Sequence, residues 1–257
     1  MEDNDAFLSR YSRQIVLPEI GGEGQKRLLK SSVLVVGAGG LGTPILQYLC
    51  GAGVGTLTVF DHDEVKQSNL QRQTLFRTGD IGRPKATVAA EALEGLNPDC
   101  TIVPMNEQLT NQNVDEAVRE AHLVVEGSDD FETKFRVNDA CVRHNTPLVL
   151  GGILRHTGQV LSVLPGSSPC YRCLFESPPS EGSVPDCSEA GVLGPLAGTV
   201  GSMQAYEVLK ILLGFGNPLF DRLLELKMER GNIRSVNRYR NPDCPTCAEA
   251  LASGSTQ

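Results

Sequence analysis

Three groups of residues in this chain have the types and spacing to do chemistry. In SVLVVGAGGLGTP the apolar run Val33–Val36 meets Gly37, Gly39, Gly40 and Gly42. That is the strand, tight turn and helix start that hold a dinucleotide pyrophosphate. Asp61 closes a second apolar run nineteen residues after Gly42, where a carboxylate accepts hydrogen bonds from ribose hydroxyls. Arg72, Arg77, Arg83 and Lys85 follow in a chain that is acidic overall, and Glu126, Asp129 and Asp130 end a further apolar run. Clustered cations suit attack on a phosphate, because charge builds on its oxygens in the transition state. Carboxylates beside a triphosphate are bridged by Mg²⁺, although Asp129 or Asp130 could equally cap the helix that follows. Glycines and a ribose carboxylate serve NAD as well as ATP, so a nicotinamide oxidoreductase stays open as a second reading. The basic 62–85 segment speaks against it, since a nicotinamide ring calls for an apolar wall.

The third group is the cysteines, eight in all. Cys170-Tyr-Arg-Cys173 and Cys244-Pro-Thr-Cys247 are two CxxC pairs separated by 70 residues, the pattern of a closed, structural four-thiolate zinc site. Two disulfides are the alternative, each closing a strained loop in a compartment that reads as reducing. Cys50, Cys100 and Cys141 fall in apolar periodic segments and read as small core residues. Cys187, in the loop sequence PDCSEAG, has no partner at ligand spacing; it is either a reactive loop thiol or an inert surface one.

The elements that must position these groups alternate. Strands are expected at Val33–Val36, Thr56–Phe60, Thr101–Met105, Leu123–Val125 and Pro147–Leu150. Helices are expected at Thr43–Gly51, Lys85–Leu96, Val114–Arg119 and Phe131–His144. That order implies an α/β fold with a Rossmann-like, doubly wound, mostly parallel sheet. The style then changes. A strand at Gly158–Leu164, a loop at Ser177–Asp186, a long helix at Leu193–Leu213 and a hairpin of Arg222–Glu229 with Ile233–Arg238 extend the sheet with an antiparallel, β-rich C-terminal half. No linker composition intervenes, so residues 1–257 read as one domain, with a nucleotide-binding half at about 30–155 and a zinc-containing half at 156–248.

Composition sets the outer bounds. The chain has 257 residues, 40% hydrophobic and 21% charged, with a net charge of −8. An acidic surface argues against a nucleic-acid or anionic-membrane partner. The N-terminus is polar without a secretory pattern, and no apolar run approaches the ~18 residues of a membrane span; a cytoplasmic location is expected.

The order of RYSRQI (Arg10–Ile15), GAGGLG (Gly37–Gly42), SNLQRQTLF (Ser68–Phe76), IGRPK (Ile81–Lys85), CYRC, EAGVLGPLAG (Glu189–Gly198) and NPDCPTC (Asn241–Cys247) resembles the MoeB/ThiF/HesA adenylyltransferases. These are bacterial relatives of ubiquitin-activating enzymes. The resemblance runs from about Arg10 to Cys247. It implies an enzyme that uses ATP, Mg²⁺ and a Zn²⁺ site. Such an enzyme adenylates the C-terminal Gly-Gly carboxylate of a ubiquitin-fold sulfur carrier of the MoaD or ThiS type, with release of pyrophosphate. The acyl-adenylate then leads to a thiocarboxylate for molybdopterin or thiamine biosynthesis. On this resemblance Asp61 holds the ribose and Gly39 admits the phosphates. Arg72 and Lys85 stabilise charge at the α-phosphate, Asp129 places Mg²⁺, and Asn69 and Gln73 line the same pocket. Arg13 enters the partner subunit's ATP site, which implies a homodimer. Cys187 matches a loop cysteine that some members use covalently, and residues 156–248 would receive the carrier. No rhodanese-like domain follows the second CxxC, so a separate sulfurtransferase or cysteine desulfurase would supply sulfur.

The chain departs from the family pattern around the metal. Many members read Asp-x-x-Asp-Asn-x-x-Thr-Arg, where this chain has Glu126, Asp129, Asp130 and Lys134. A non-catalytic adaptor that keeps the fold and has lost the chemistry is the remaining alternative; the presence of Arg13, Asp61, Arg72, Lys85 and Asp129 weighs against it.

Overall fold

The computed structural model describes residues 2–180 and 190–248. Its centre is one eight-stranded sheet in the order β3-β2-β1-β4-β5-β6-β7-β8. The strands are β1 (Ser32–Val36), β2 (Thr56–Phe60), β3 (Thr101–Met105), β4 (Leu123–Glu126), β5 (Leu148–Leu154), β6 (Thr157–Val163), β7 (Arg222–Lys227) and β8 (Asn232–Asn237). The first five pair in parallel, and β5 to β8 pair antiparallel. β1 is an unbroken apolar run because it is covered on both sides. Val33 and Val35 join the core on one face, with Leu57, Val59, Val125 and Val149, while Leu34 and Val36 join the core on the other, with Phe60, Val124 and Leu148.

The first face is covered by α3 (Gly42–Ala52), α4 (Lys85–Glu94) and the long α8 (Gly194–Leu213), and the second by α5 (Val114–Arg119), α6 (Phe131–Arg143) and the short α7 (Tyr171–Leu174). α8 packs on α3 and crosses β5 and β6, so a helix late in the chain covers the strands of both halves. β5 runs four residues beyond the expected Leu150, because β6 pairs with it through Leu154↔Thr157.

Besides the short α7, two helices have no counterpart in the sequence reading: α1 (Glu2–Ile15) and α2 (Gly21–Leu29). The apolar signal of α1 is thin. Tyr11 supplies most of its anchorage: it is 1% exposed, and its hydroxyl donates to Asp99 Oδ2 at 3.1 Å and accepts from Asn97 Nδ2 at 2.9 Å. Gln14 adds a bond to the Ala52 carbonyl at 3.1 Å. Asn97 and Asp99 precede β3 and Ala52 precedes β2, so α1 docks at the N-terminal ends of the parallel strands. Among the described residues no helix is long and apolar enough to cross a membrane.

Candidate active site at the carboxyl ends of the parallel strands

Strand order reverses between β1 and β4, and the crevice outside their carboxyl ends is where open α/β sheets bind ligands. The glycine turn sits there. Gly37 has φ +90°, and a Cβ on it would lie 3.1 Å from Ser128 N, against the loop that leaves β4. A Cβ on Gly42 would overlap the Gly37 carbonyl at 1.9 Å. The turn is therefore as tight as the glycine spacing implies, and it leaves backbone where side chains would otherwise stand.

Asp61 ends β2 and locks this turn. Its Oδ2 accepts from Ala38 N at 2.7 Å and its Oδ1 from Asp63 N at 2.9 Å. Burial pushes its carboxyl up, against the pull of Lys85 and the two backbone donors. Each oxygen keeps a lone pair for a ribose hydroxyl. Lys85 opens α4 with its side chain 6% exposed, and its Nζ reaches Asp63 Oδ2 at 2.8 Å. Burial works against the charge on Asp63, but the Lys85 ammonium holds its carboxyl below the usual range. Asp63, passed over in the sequence reading although it lies in the segment DHDEVK, is thus the resting partner of the cation expected to meet phosphate.

Asn69 shapes the next turn. Its Oδ1 accepts from Lys66 N at 3.0 Å, and its carbonyl accepts from the Arg72 and Gln73 N–H groups at 3.0 and 2.9 Å. Arg72 donates from Nη1 to the Ser68 carbonyl at 3.0 Å, and its Cδ would lie 3.4 Å from a Cβ on Gly40. Gln73 is 3% exposed; its Nε2 would lie 3.6 Å from a Cβ on Gly39, and its Oε1 has no hydrogen-bond partner. An orphaned buried carbonyl beside a backbone cradle is what a missing polar ligand leaves behind. The first turn of α8 closes this side: a Cβ on Gly194 would meet the Gln71 carbonyl at 2.4 Å, and Ala197 lies against Gly40. The chain thus brings Gly37, Gly39, Gly40, Gly42, Asp61, Asn69, Arg72, Gln73 and Lys85 to one crevice.

The acidic cluster after β4 divides into three jobs. Glu126 is fully buried and pairs with Lys134, which is 4% exposed and also donates to the Ser128 and Gly151 carbonyls at 2.8 Å each. Glu126 Oε1 accepts from Ser128 N at 2.8 Å. Burial pushes its carboxyl up against the pull of Lys134. Expecting Glu126 to share in cation binding is therefore corrected: it faces into the protein and sets the 127–130 loop. Two departures from the family pattern meet each other here, since the longer acid at 126 faces the shorter base at 134. Asp130 is the N-cap of α6, accepting from Thr133 N at 2.9 Å and Glu132 N at 3.3 Å. Asp129 and Asp130 are both exposed, but of this cluster only Asp129 has a carboxylate that makes no hydrogen bond among the described residues. Gln204 of α8, which sequence reasoning missed for want of any motif, donates to the Glu126 carbonyl at 2.7 Å and ties α8 to the end of β4.

Arg13 does not join this crevice. It lies exposed on α1, which docks at the opposite ends of the strands. Cys187 lies outside the described residues.

The two CxxC pairs converge on the far face of the sheet. The Sγ atoms of Cys170, Cys173, Cys244 and Cys247 lie within 4.8 Å of one another, with separations of 3.9, 3.6 and 3.6 Å along Cys170–Cys173, Cys170–Cys244 and Cys173–Cys247. All four are free thiols, as are the buried Cys50, Cys100 and Cys141. Arg172, between the first two cysteines, clamps Asp139 of α6 at 2.7 and 2.8 Å and stacks on Phe135.

The ThiF family model matches residues 11–246. The chain belongs to the ThiF family. Among its ThiF relatives is the sulfur carrier protein adenylyltransferase of Thermus thermophilus, 49% identical over 247 residues that cover 94% of this chain and 91% of the relative. The SAMP-activating enzyme E1 of Haloferax volcanii is 48% identical, covering 94% and 89%. The adenylyltransferase and sulfurtransferase MOCS3 of Anopheles gambiae is 43% identical over 96% of this chain but 56% of its own length. The ThiF fold recurs in the crystal structure of E. coli MccB with MccA-N7isoASN, at a TM-score of 0.81 and 24% identity over 93% of this chain and 74% of that one.

Proposed function

We propose that this chain is an adenylyltransferase that uses ATP to activate the C-terminal carboxylate of a small sulfur-carrier protein. The observation that carries this reading is the convergence of Arg72, Lys85 and Gln73 on a glycine turn held by Asp61, in a chain that matches a sulfur carrier protein adenylyltransferase over nearly its whole length. The cations meet the triphosphate where a nicotinamide would need an apolar wall. The carrier carboxylate attacks the α-phosphorus of ATP; a carboxyl–phosphorus bond forms, the bond to the β-phosphate oxygen breaks, and pyrophosphate leaves. Asp61 orients the ribose. Arg72 and Lys85 stabilise the charge on the phosphate oxygens in the transition state, and Lys85 exchanges Asp63 for phosphate as ATP enters.

Asp129 would hold Mg²⁺. One free carboxylate fits that ion, which keeps its waters and takes further ligands from phosphates, and when bound it neutralises charge on the leaving pyrophosphate. Sulfur then comes from a separate persulfide donor of the sulfurtransferase or cysteine desulfurase class.

The four cysteines would hold Zn²⁺. Sulfurs at about 2.3 Å from a tetrahedral zinc lie about 3.8 Å apart; three of the six separations, at 3.6 to 3.9 Å, match, and all lie within 4.8 Å. A four-sulfur shell leaves no position for substrate, so the metal is structural. Elemental analysis should find about one zinc per folded chain; folded, metal-free protein would refute this assignment.

The chain works as a homodimer on this reading. A groove of about 800 Å³ between α3 and α8 is lined by Pro44, Tyr48, Pro195, Gly198, Ser202 and Tyr206, and Tyr48 and Tyr206 are 59% and 58% exposed. In such a dimer Arg13 of one copy would serve the crevice of the other.

The experiment that tests the function is ATP–pyrophosphate exchange with Mg²⁺ and a panel of purified carriers ending in Gly-Gly, molybdopterin and thiamine types included. Exchange that depends on one carrier is the expected outcome. ATP bound without exchange on any carrier would point instead to a non-catalytic adaptor.

A further inference from the structure

Arg238, just after β8, is the only buried arginine among the described residues, at 5% exposure. Its guanidinium is spent on backbone. Nε donates to the Arg222 carbonyl at 3.2 Å and Nη1 to Pro169 at 3.2 Å. Nη2 donates to Ser162, Leu219 and Phe220 at 2.6, 3.1 and 2.9 Å. The other buried cations each have a carboxylate: Lys85 has Asp63 and Lys134 has Glu126. Arg238 has no carboxylate at ion-pair distance among the described residues; Asp221, the acid that acts on it from nearby, is 77% exposed and pairs with Arg222. Carbonyl dipoles satisfy its N–H groups but leave a full positive charge in the interior, which is costly without a counter-charge.

The groups beside it that metal binding would make negative are sulfurs. Pro169, whose carbonyl Arg238 holds, is bonded to Cys170 in the chain, which sets the guanidinium beside the cysteine centre. Four thiolates around Zn²⁺ carry a net charge of −2. Arg172 does not offset it, since Asp139 already neutralises that guanidinium through two hydrogen bonds. Arg240 is only half-buried and donates to the Gly166 and Ser168 carbonyls, where solvent screens it.

We propose that Arg238 is the counter-charge of the metal-loaded cysteine centre: its fixed cation offsets the negative charge of four zinc-bound thiolates and so raises the affinity of the chain for the metal. The proposal rests on the zinc reading above. It also makes the loss of metal a structural event. Without the negative metal centre, Arg238 is left buried and uncompensated, and the segments it clasps at Ser162, Leu219 and Arg222 loosen with it.

The test measures zinc affinity of the full chain by competition with a chromophoric chelator, in wild type, Arg238→Gln and Arg238→Lys. Both variants lose carbonyl hydrogen bonds and some thermal stability; only glutamine removes the charge. Arg238→Gln should bind zinc about 10- to 100-fold more weakly, the range for groups just outside a metal's ligands, while Arg238→Lys stays within a few-fold of wild type. Equal affinities in all three, or equal losses in both variants, would reduce Arg238 to a backbone clasp and overturn the proposal without touching the zinc assignment. A wild-type chain that binds no zinc overturns both. If Arg238→Gln does not fold, hydrogen exchange on wild type decides: chelation should release protection at 160–163 and 219–224, whereas a loss confined to 170–174 and 244–247 counts against the counter-charge.

Discussion

Arg72→Ala should lower carrier-dependent ATP–pyrophosphate exchange by about 100- to 1,000-fold, the cost of removing one preorganised group that stabilises developing charge. The side chain lies along the glycine turn, and its one hydrogen bond within the described residues is to the Ser68 carbonyl. Little of the fold depends on its guanidinium, so the melting temperature should hardly move. That separation is the discriminating feature, because a residue needed for folding would lower both together. Near-normal exchange would remove Arg72 from the phosphate site. The same variant tests the placement of Arg13. If Arg13 serves the partner's crevice, Arg13→Ala is also inactive, and mixing the two inactive variants restores exchange, since a mixed dimer holds one crevice with both arginines. Mixtures that stay inactive would argue that Arg13 does not act across subunits.

Glu126→Ala should be the most destabilising single change near the crevice. It strands the Lys134 ammonium, which is 4% exposed, and breaking a buried pair from one side costs about 3–5 kcal/mol. For a domain of this size that is a fall of roughly 10 °C in melting temperature. Exchange should fall as well, because the Glu126–Lys134 pair sets the 127–130 loop that carries Asp129 and abuts Gly37. Glu126→Leu combined with Lys134→Met should recover part of the stability, since an apolar pair leaves no stranded charge, but not the loop geometry and hence not the activity. A single variant as stable as wild type would mean that water reaches Lys134.

These two residues mark different depths of legibility. Arg72 could be read from the chain because its signal is local: a basic segment between two β-rich runs, in an acidic protein. The glycine turn, the alternation of strands and helices and the CxxC spacing are local in the same sense. They rest on backbone sterics, on the two-residue period of a strand and on the reach of a knuckle, which neighbouring residues dictate wherever they stand in space. Glu126 was legible only as one more carboxylate. Whether a carboxylate after β4 meets solvent, a helix N-terminus or a buried lysine depends on where α6 and β5 pack, and spacing along the chain carries no such information. The same holds for Asp63, which became the partner of Lys85 only when β2 and α4 met, and for Gln204, which reaches the end of β4 from α8, 78 residues away. It holds for Arg238, whose five carbonyl acceptors come from three separate parts of the chain. The sequence by itself determined the fold class and the residues able to do the chemistry. The tertiary structure decided which charges are spent on each other and which remain for a ligand, because burial and pairing are properties of the packed core.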